Sequence, residues 1–465
     1  MKTTDGANSS KNQAGAETAE KTFDVVVVGA GIGGISAGVS AARQGCRTLL
    51  IERMAEVGGT GVHSPVALIC PYWDRSLRII NDGLHREFFP QIVPVTGHCL
   101  SYDERELAEN YRRAIEGERL LTVWTSTEVR GARVRNRILE TVTVTGRHEA
   151  VVRGTVWVDG SADGNLAALT GCAYEKGRKG DGRMQPATLT FSVDGIDHAR
   201  LPPRGIRHGP GLWALWRELQ PYFEDLKASG KTLNPREDVL CFPYPDNRRL
   251  LFNQTRILGV DPTDPESVRR AYEEGRRQVN EFFECLRRHP AFHSAWIESI
   301  SPVLGVREGR RIVGDHVLTE EECLAEARFD DMVAACSSSI DIHSPDGSGT
   351  RKVFIPGSGY FHIPYRCLIA RDLDNLLLGS RCISGTHEAH SAYRVMSVIC
   401  CVGQAAGIAA ALAAHHAEGR VRRVDSAWIR HELIRAGAFA EGPVAPPPDL
   451  NGNDPPPEPQ AFRAR

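Results

Sequence analysis

The chain has 465 residues, 41% hydrophobic and 25% charged, which is ordinary globular composition and too long for a single core, so two domains are expected. Its 56 basic and 58 acidic residues leave a net charge of −2, which excludes an electrostatic footprint for nucleic acid or an anionic membrane and makes small molecules the expected partners. No apolar run is read as a membrane span, and the polar opening "MKTTDGANSSKNQAGAETAEK" lacks a signal-peptide core; the 12 cysteines include no C-x-x-C, so a cytoplasmic protein with reduced cysteines and no metal is expected, its possible homo-oligomeric state left open.

Residues 1–21 and the proline-rich stretch 441–465 are too poor in apolar side chains to build structure and are expected to be mobile. Between them, Val25 to Val28 form a β-branched run read as a buried strand, followed at once by the spacing Gly29, Gly31, Gly34, with Gly33 in the same turn. A helix follows, its small residues Ala37, Ala41 and Ala42 allowing close packing, and "CRTLLIE" gives a second strand ending in Glu52. In such a unit Gly29 makes the tight turn, Gly31 lets a pyrophosphate approach, Gly34 allows helix–strand packing, and the helix N-terminus offers free N–H groups. Glu52 at the strand end suits ribose hydroxyls and repels a 2′-phosphate, which disfavours NADP and leaves NAD or FAD.

What comes next separates the two. Arg53, a short spacer and Gly58-Gly59-Thr60-Gly61 resemble the FAD-binding signature of glutathione-reductase-like flavoproteins. The resemblance implies FAD, with Arg53, Gly59 and Thr60 joining Gly29, Gly31, Gly33, Gly34 and Glu52 around it. Alternating strands "LLTVWTSTEV", "ILETVTVT" and "VRGTVWVDGSADGNLAALTG" then run from Leu120 to Gly171. The last is similar to a strand and turn that pass close to the cofactor in related flavoproteins, which makes Asp159 a cofactor candidate.

Near the other end, "DNLLLGSRCISGTHEA" from Asp374 and "VGQAAGIAAALAA" from Val402 resemble a strand and small-residue helix of the same proteins. The likeness implies that the strand end, Gly379 and Arg381, touches the ribityl chain, although Gly379-Ser380-Arg381 replaces the usual Gly-Asp. It further implies that a helix beginning near Gly403 and Ala405 points its positive end at the flavin; plain packing of an alanine-rich helix is the alternative. The fold expected is α/β: a Rossmann-type FAD-binding domain built from discontinuous segments (22–63, 120–171 and 374–437) plus an inserted mixed α+β substrate domain (64–119 and 172–373).

The phrases "GVREGRRIVGDHVLTEEE", "FDDMVAACSSSIDIHSPDG", "YFHIPYRCLIARDLDNLLLGSRCIS" and "HEAHSAYRVMSVICCVGQAAG" resemble a large family of FAD-dependent oxidoreductases, and the likeness covers most of residues 23 to 437. It implies an enzyme that passes a hydride from a small organic substrate to the flavin. A monooxygenase and a non-catalytic or electron-transfer flavoprotein are the alternatives. Catalytic candidates are His343, read as a loop residue and base, and His387 and His390 beside the flavin strand. Arg310 and Arg311 offer a bidentate clamp for a carboxylate, with a salt-bridged contact equally open. Tyr365, Arg366 and Arg394 are further flavin or substrate contacts, and His63 and Cys70 are positions for a covalent flavin link.

Overall fold

A computed structural model describes residues 20–69, 73–90, 100–202 and 210–448. Strand β1 (Glu20–Val28) leads through the glycine turn into helix α1 (Ile32–Arg43) and strand β2 (Thr48–Ile51). Helix α2 (Glu104–Glu116) precedes β3 (Leu121–Trp124), and a meander of β4 (Thr127–Arg135), β5 (Ile138–Gly146) and β6 (Ala150–Asp159) follows. The chain returns much later with β7 (Leu376–Leu378), α3 (His387–Tyr393) and α4 (Met396–His416).

The parallel part of the main sheet has the order β3-β2-β1-β6-β7. Helices and neighbouring strands cover the valine run of β1, so Val25, Val26 and Val27 are fully buried, the pattern of a central parallel strand. Strand β6 pairs with β1 along one edge and divides its other edge between two partners. Its first half pairs antiparallel with β5 (Thr141 opposite Arg153), and its second half pairs parallel with β7 (Leu378 opposite Asp159).

Helices α1 and α4 touch backbone to backbone. A Cβ on Gly403 would lie 2.1 Å from the Gly33 carbonyl oxygen, and one on Gly407 would lie 2.2 Å from that of Ala37. Helix α4 is long and apolar enough to cross a membrane, which corrects the expectation that no such run exists, but 94% of its apolar window is buried inside the protein. Its composition is that of a core helix, hydrophobic all round because neighbours surround it.

The inserted domain has its own core. Its antiparallel sheet runs Cys241–Pro243, Leu250–Phe252, Phe191–Asp194, Trp296–Ile300, and helices Pro210–Ala228 and Pro265–Leu286 pack on it. Phe191 stacks on Phe252 with centroids 5.3 Å apart, and Phe223 and Phe282 complete the cluster. This second core spans Ala187 to Leu304.

The boundaries therefore differ from those expected. Leu84, Phe88, Leu107 and Tyr111, and residues from Ile312 to Leu373, share the core of the nucleotide domain rather than that of the cap, whereas Ala67 packs with Phe242 and Tyr244 of the inserted domain. The expected N-terminal tail already pairs as β1 at Glu20. At the other end Glu441 accepts from Tyr360 and contacts His362 Nε2 at 3.0 Å, and Ala445 N–H donates to the Ala427 carbonyl, so residues 441–445 are fixed rather than mobile. Positions 1–19 and 449–465, and Cys70, lie outside the described residues.

Candidate functional site

The glycine turn forms a cradle whose open side faces Gly59. Gly29 holds φ +99°, a left-handed conformation that favours glycine, and a Cβ there would meet the Ser161 backbone at 2.6 Å. Gly34 is shut against the Gly29 carbonyl and Gly160. Gly31 is different: the nearest atom to a Cβ there is the Gly59 Cα at 3.8 Å, and no side chain caps the α1 N-terminus that begins after it. First-turn N–H groups and positive dipole are thus available to a phosphate. Glu52 follows directly on β2, with Oε2 accepting from Ala30 N–H at 2.7 Å and Oε1 from Met54 N–H at 2.9 Å, which fixes the carboxylate at the cradle rim.

Gly59 (φ +53°) backs onto Gly31, and Thr60 lies half-buried in the short helix Gly59–His63; Arg53 is exposed. Gly61 brings α4 to the same place, since a Cβ on it would sit 3.3 Å from Met396 Sδ at the first residue of that helix. The residues present thus fit a dinucleotide: a clear pyrophosphate approach at Gly31, a ribose carboxylate at Glu52, and the start of α4 beyond Gly61.

Several expected contacts have other duties. Helix α4 starts at Met396, not near Val402, so Gly403 and Ala405 lie in its buried interior; Gly403 packs on Gly33. Gly33 is itself closed off, because a Cβ would stand 2.0 Å from the Gly379 carbonyl oxygen. The Asp159 carboxylate is consumed by the turn after β6, accepting from Ser161 N–H at 3.0 Å and Ala167 N–H at 2.8 Å. Burial pushes its pKa up to about 6 against those hydrogen bonds. Arg381 Nη2 donates to Asp163 at 2.8 Å, and its buried Nε has no partner among the described residues.

The arginine clamp is also corrected. Arg310 and Arg311 are consecutive on the strand Arg310–Ile312, so their side chains leave opposite faces. Arg310 donates to the Asp163 carbonyl and Asn165, with its guanidinium 5.2 Å from the Tyr174 ring. Arg311 is saturated by Glu308, the Gly385 carbonyl at 3.0 Å and the Gly177 carbonyl at 2.9 Å. His387 joins the same buried knot through Nδ1, 2.8 Å from Glu308.

His343 lies on the strand Ile340–His343, not on a loop. Arg256 Nη2 donates to its Nδ1 at 3.3 Å, and Thr350 Oγ1 is 3.2 Å from the same atom. Burial, with Arg307, Arg394, Arg236 and Arg256 around it, drives its pKa far below the usual histidine range. With Nδ1 taken up by Arg256 and Thr350 and Nε2 3.7 Å from Asp341, neither ring nitrogen of His343 is left for a substrate proton. His390 has the complementary character: it is fully buried on α3, and neither ring nitrogen has a partner among the described residues. Burial together with Arg311, Arg394, Arg381 and His387 keeps it neutral. Arg236, Arg256 and Arg307 are functional candidates that the sequence did not single out.

A dinucleotide cradle at the end of a parallel sheet, in a chain that carries a second domain with its own core, defines the flavoprotein class. The pattern of the FAD dependent oxidoreductase family matches residues 24–433, and the chain belongs to that family; it is an enzyme that uses FAD. Among curated proteins none matches. Of solved structures, the chain is similar to the flavin-dependent brominase Bmp2 (12% identity, TM-score 0.46, 89% of this chain and 87% of that one). It is also similar to a geranylgeranyl bacteriochlorophyll reductase-like protein from Thermoplasma acidophilum (12% identity, TM-score 0.43, 90% and 85%).

Proposed function

We propose that the enzyme dehydrogenates a small organic substrate, with His390 removing the proton. FAD held in the cradle supplies the two-electron acceptor for the substrate hydride. The observation that carries the reading is His390: a buried neutral imidazole with both nitrogens uncommitted, on the helix that leads into α4, between Arg381 and Arg394. A neutral imidazole keeps one nitrogen as acceptor, and here no protein donor occupies it among the described residues. His390 is buried away from bulk water, so proton transfer from an alcohol or amine next to the reacting C–H falls to that nitrogen.

The test is anaerobic mixing of the holoenzyme with a panel of acids, alcohols and amines, following loss of the visible flavin band. A substrate that bleaches the native enzyme should bleach His390→Gln at least ~100-fold more slowly with FAD content unchanged, the usual scale for a positioned base. Equal rates remove His390 as the base. Incorporation of an oxygen atom from O2 into the product moves the enzyme to the monooxygenase class.

A further inference from the structure

Four arginines from distant parts of the chain converge beside α3. Arg236 and Arg256 come from the cap, Arg307 from the crossing back to the nucleotide domain, and Arg394 from the residue that ends α3, two before the start of α4. Arg256 Nη2 is 3.3 Å from His343 Nδ1, Arg394 Nη2 donates at 3.3 Å to the carbonyl of Asp341 two residues before that histidine, and Arg307 reaches the carbonyl of Pro186 beside Gln185, whose side chain accepts from His343 N–H; Arg236 acts on the same imidazole, and Arg236, Arg256 and Arg307 are buried. The acidic groups facing them are Glu237, 2.8 Å from Arg256 Nη1, Asp341, 3.9 Å from Arg394 Nη2, and Asp238 and Glu308, which act on Arg236 and Arg394 at longer range.

Arg236 and Arg307 form no ion pair among the described residues. Arg307 donates to the Pro186 carbonyl at 2.8 Å, and Arg236 Nε to the Asp238 carbonyl at 3.2 Å. Arg236 Nη1 and Arg394 Nε are buried with no partner among the described residues, and so is the amide nitrogen Nε2 of Gln185, whose oxygen accepts from His343 N–H. Buried arginines with purely structural duties look different in this protein. Arg430 is tied to the carbonyls of Asp330 and Pro443 and to Ser426, and Arg311 is likewise saturated.

Two of the four cations, Arg236 and Arg307, have no ion-pair partner among the described residues, and burial of unpaired charge is costly unless a partner arrives. We propose that Arg236, Arg256, Arg307 and Arg394 are the receptor for a dianionic organic substrate, its charges borne on carboxylate or phosphate oxygens; the proposal rests on the dehydrogenation reading for the fate of that substrate. Arg394 ties the receptor to the chemistry, since it also lies beside His390. A dianion bound at Arg394 offsets that cation's share of the field on His390, which Arg311, Arg381 and His387 also supply, so the base gains proton affinity when substrate is present. The enzyme then couples substrate charge to proton removal, and neutral analogues of the same shape bind and react poorly.

The test is thermal melting of the holoenzyme, at constant ionic strength, against malonate, succinate, inorganic phosphate and neutral malonamide. At least one dianion should raise Tm in a saturable way and malonamide should not; response to the dicarboxylates or to phosphate tells which oxygen anion the receptor takes. Arg307→Met should weaken that binding by about 10- to 100-fold, the loss of one charge-assisted contact, while leaving the ligand-free Tm unchanged or higher, because a repelled cation is removed. A structural arginine would give the opposite Tm change. No saturable response to any dianion overturns the receptor, as does an Arg307→Met protein that responds like the native enzyme. If Arg307→Met does not fold, the native titration decides alone. Saturable binding of a dianion, with no bleaching by any dicarboxylate or phosphate ester that carries a hydroxyl or amine beside a C–H, keeps the receptor and removes dehydrogenation. A neutral substrate that bleaches the flavin while no dianion binds does the reverse.

Discussion

Glu308 Oε1 stands 2.8 Å from Nδ1 of His387, and the same carboxylate pairs with Arg311, so one buried acid holds the end of α3 to the strand that carries Arg311. Glu308 and Arg311 are both almost wholly buried. Glu308→Gln leaves the Arg311 charge uncompensated and should cost about 3–5 kcal/mol of stability, the scale for breaking a buried pair. Urea denaturation of native and variant protein measures it, and a loss below about 1 kcal/mol would show the pair to be solvated.

Gly31 and Gly33 sit two residues apart and should respond in opposite ways to added side chains. A Cβ on Gly31 meets nothing nearer than 3.8 Å, so Gly31→Val should fold, with a near-native apo Tm, yet hold no FAD. Gly33→Ala drives a methyl to 2.0 Å from the Gly379 carbonyl and should fail at folding itself. Flavin absorbance per mole of purified protein, with Tm, separates the outcomes; a yellow Gly31→Val protein sinks the assignment of the cradle.

Much of that cradle is legible in the sequence, because a central parallel strand must be a continuous apolar run and its glycines lie within a few residues of one another. The receptor arginines are not legible. Arg236 and Arg256 stand in "NPREDVL" and "NQTRILG", which carry no periodicity or spacing, and only the folded cap brings them to Arg394. Adjacency in sequence misled for Arg310 and Arg311, since neighbours on a strand point apart. It misled again for α4, whose start at Val395 offers no capping side chain to mark it, so the glycines and alanines of its interior looked like its beginning.

Acid should weaken the fold in a defined window. Burial holds His390 well below the ordinary histidine range and His85 down at about 4, so both stay neutral when folded while the unfolded chain takes up protons below about 6.5. Stability from these groups is therefore present above that pH and lost as pH falls below it, by up to about 1.4 kcal/mol per pH unit for each histidine. His390→Gln should flatten the slope between about pH 6 and pH 5 by as much as one such increment. Denaturation midpoints across that range provide the check, and an unchanged slope means His390 is protonated in the fold.

Gly407→Ala tests the α1–α4 contact. The added methyl would come within 2.2 Å of the Ala37 carbonyl oxygen, in a helix pair with no slack, and should destabilise by about 1–3 kcal/mol through overpacking. Gly437, where a Cβ meets nothing within 4 Å, is a poor control because its φ is +73°; a solvent-facing site such as Glu418→Gln, on an 81% exposed side chain, serves instead.

The backbone contact between Gly33 and Gly403 also sets a schedule for a ribosome. The nucleotide turn leaves the exit tunnel early, yet the surface that α1 must lie on, and the β7 edge that completes β6, are among the last described segments to be made. Until they appear, the nascent chain carries a finished sequence for binding FAD with an unpaired strand edge and a bare small-residue helix face, surfaces that invite wrong partners. Holding that intermediate apart from its neighbours, rather than forming the nucleotide turn, is the step at which synthesis of this protein depends most on its surroundings.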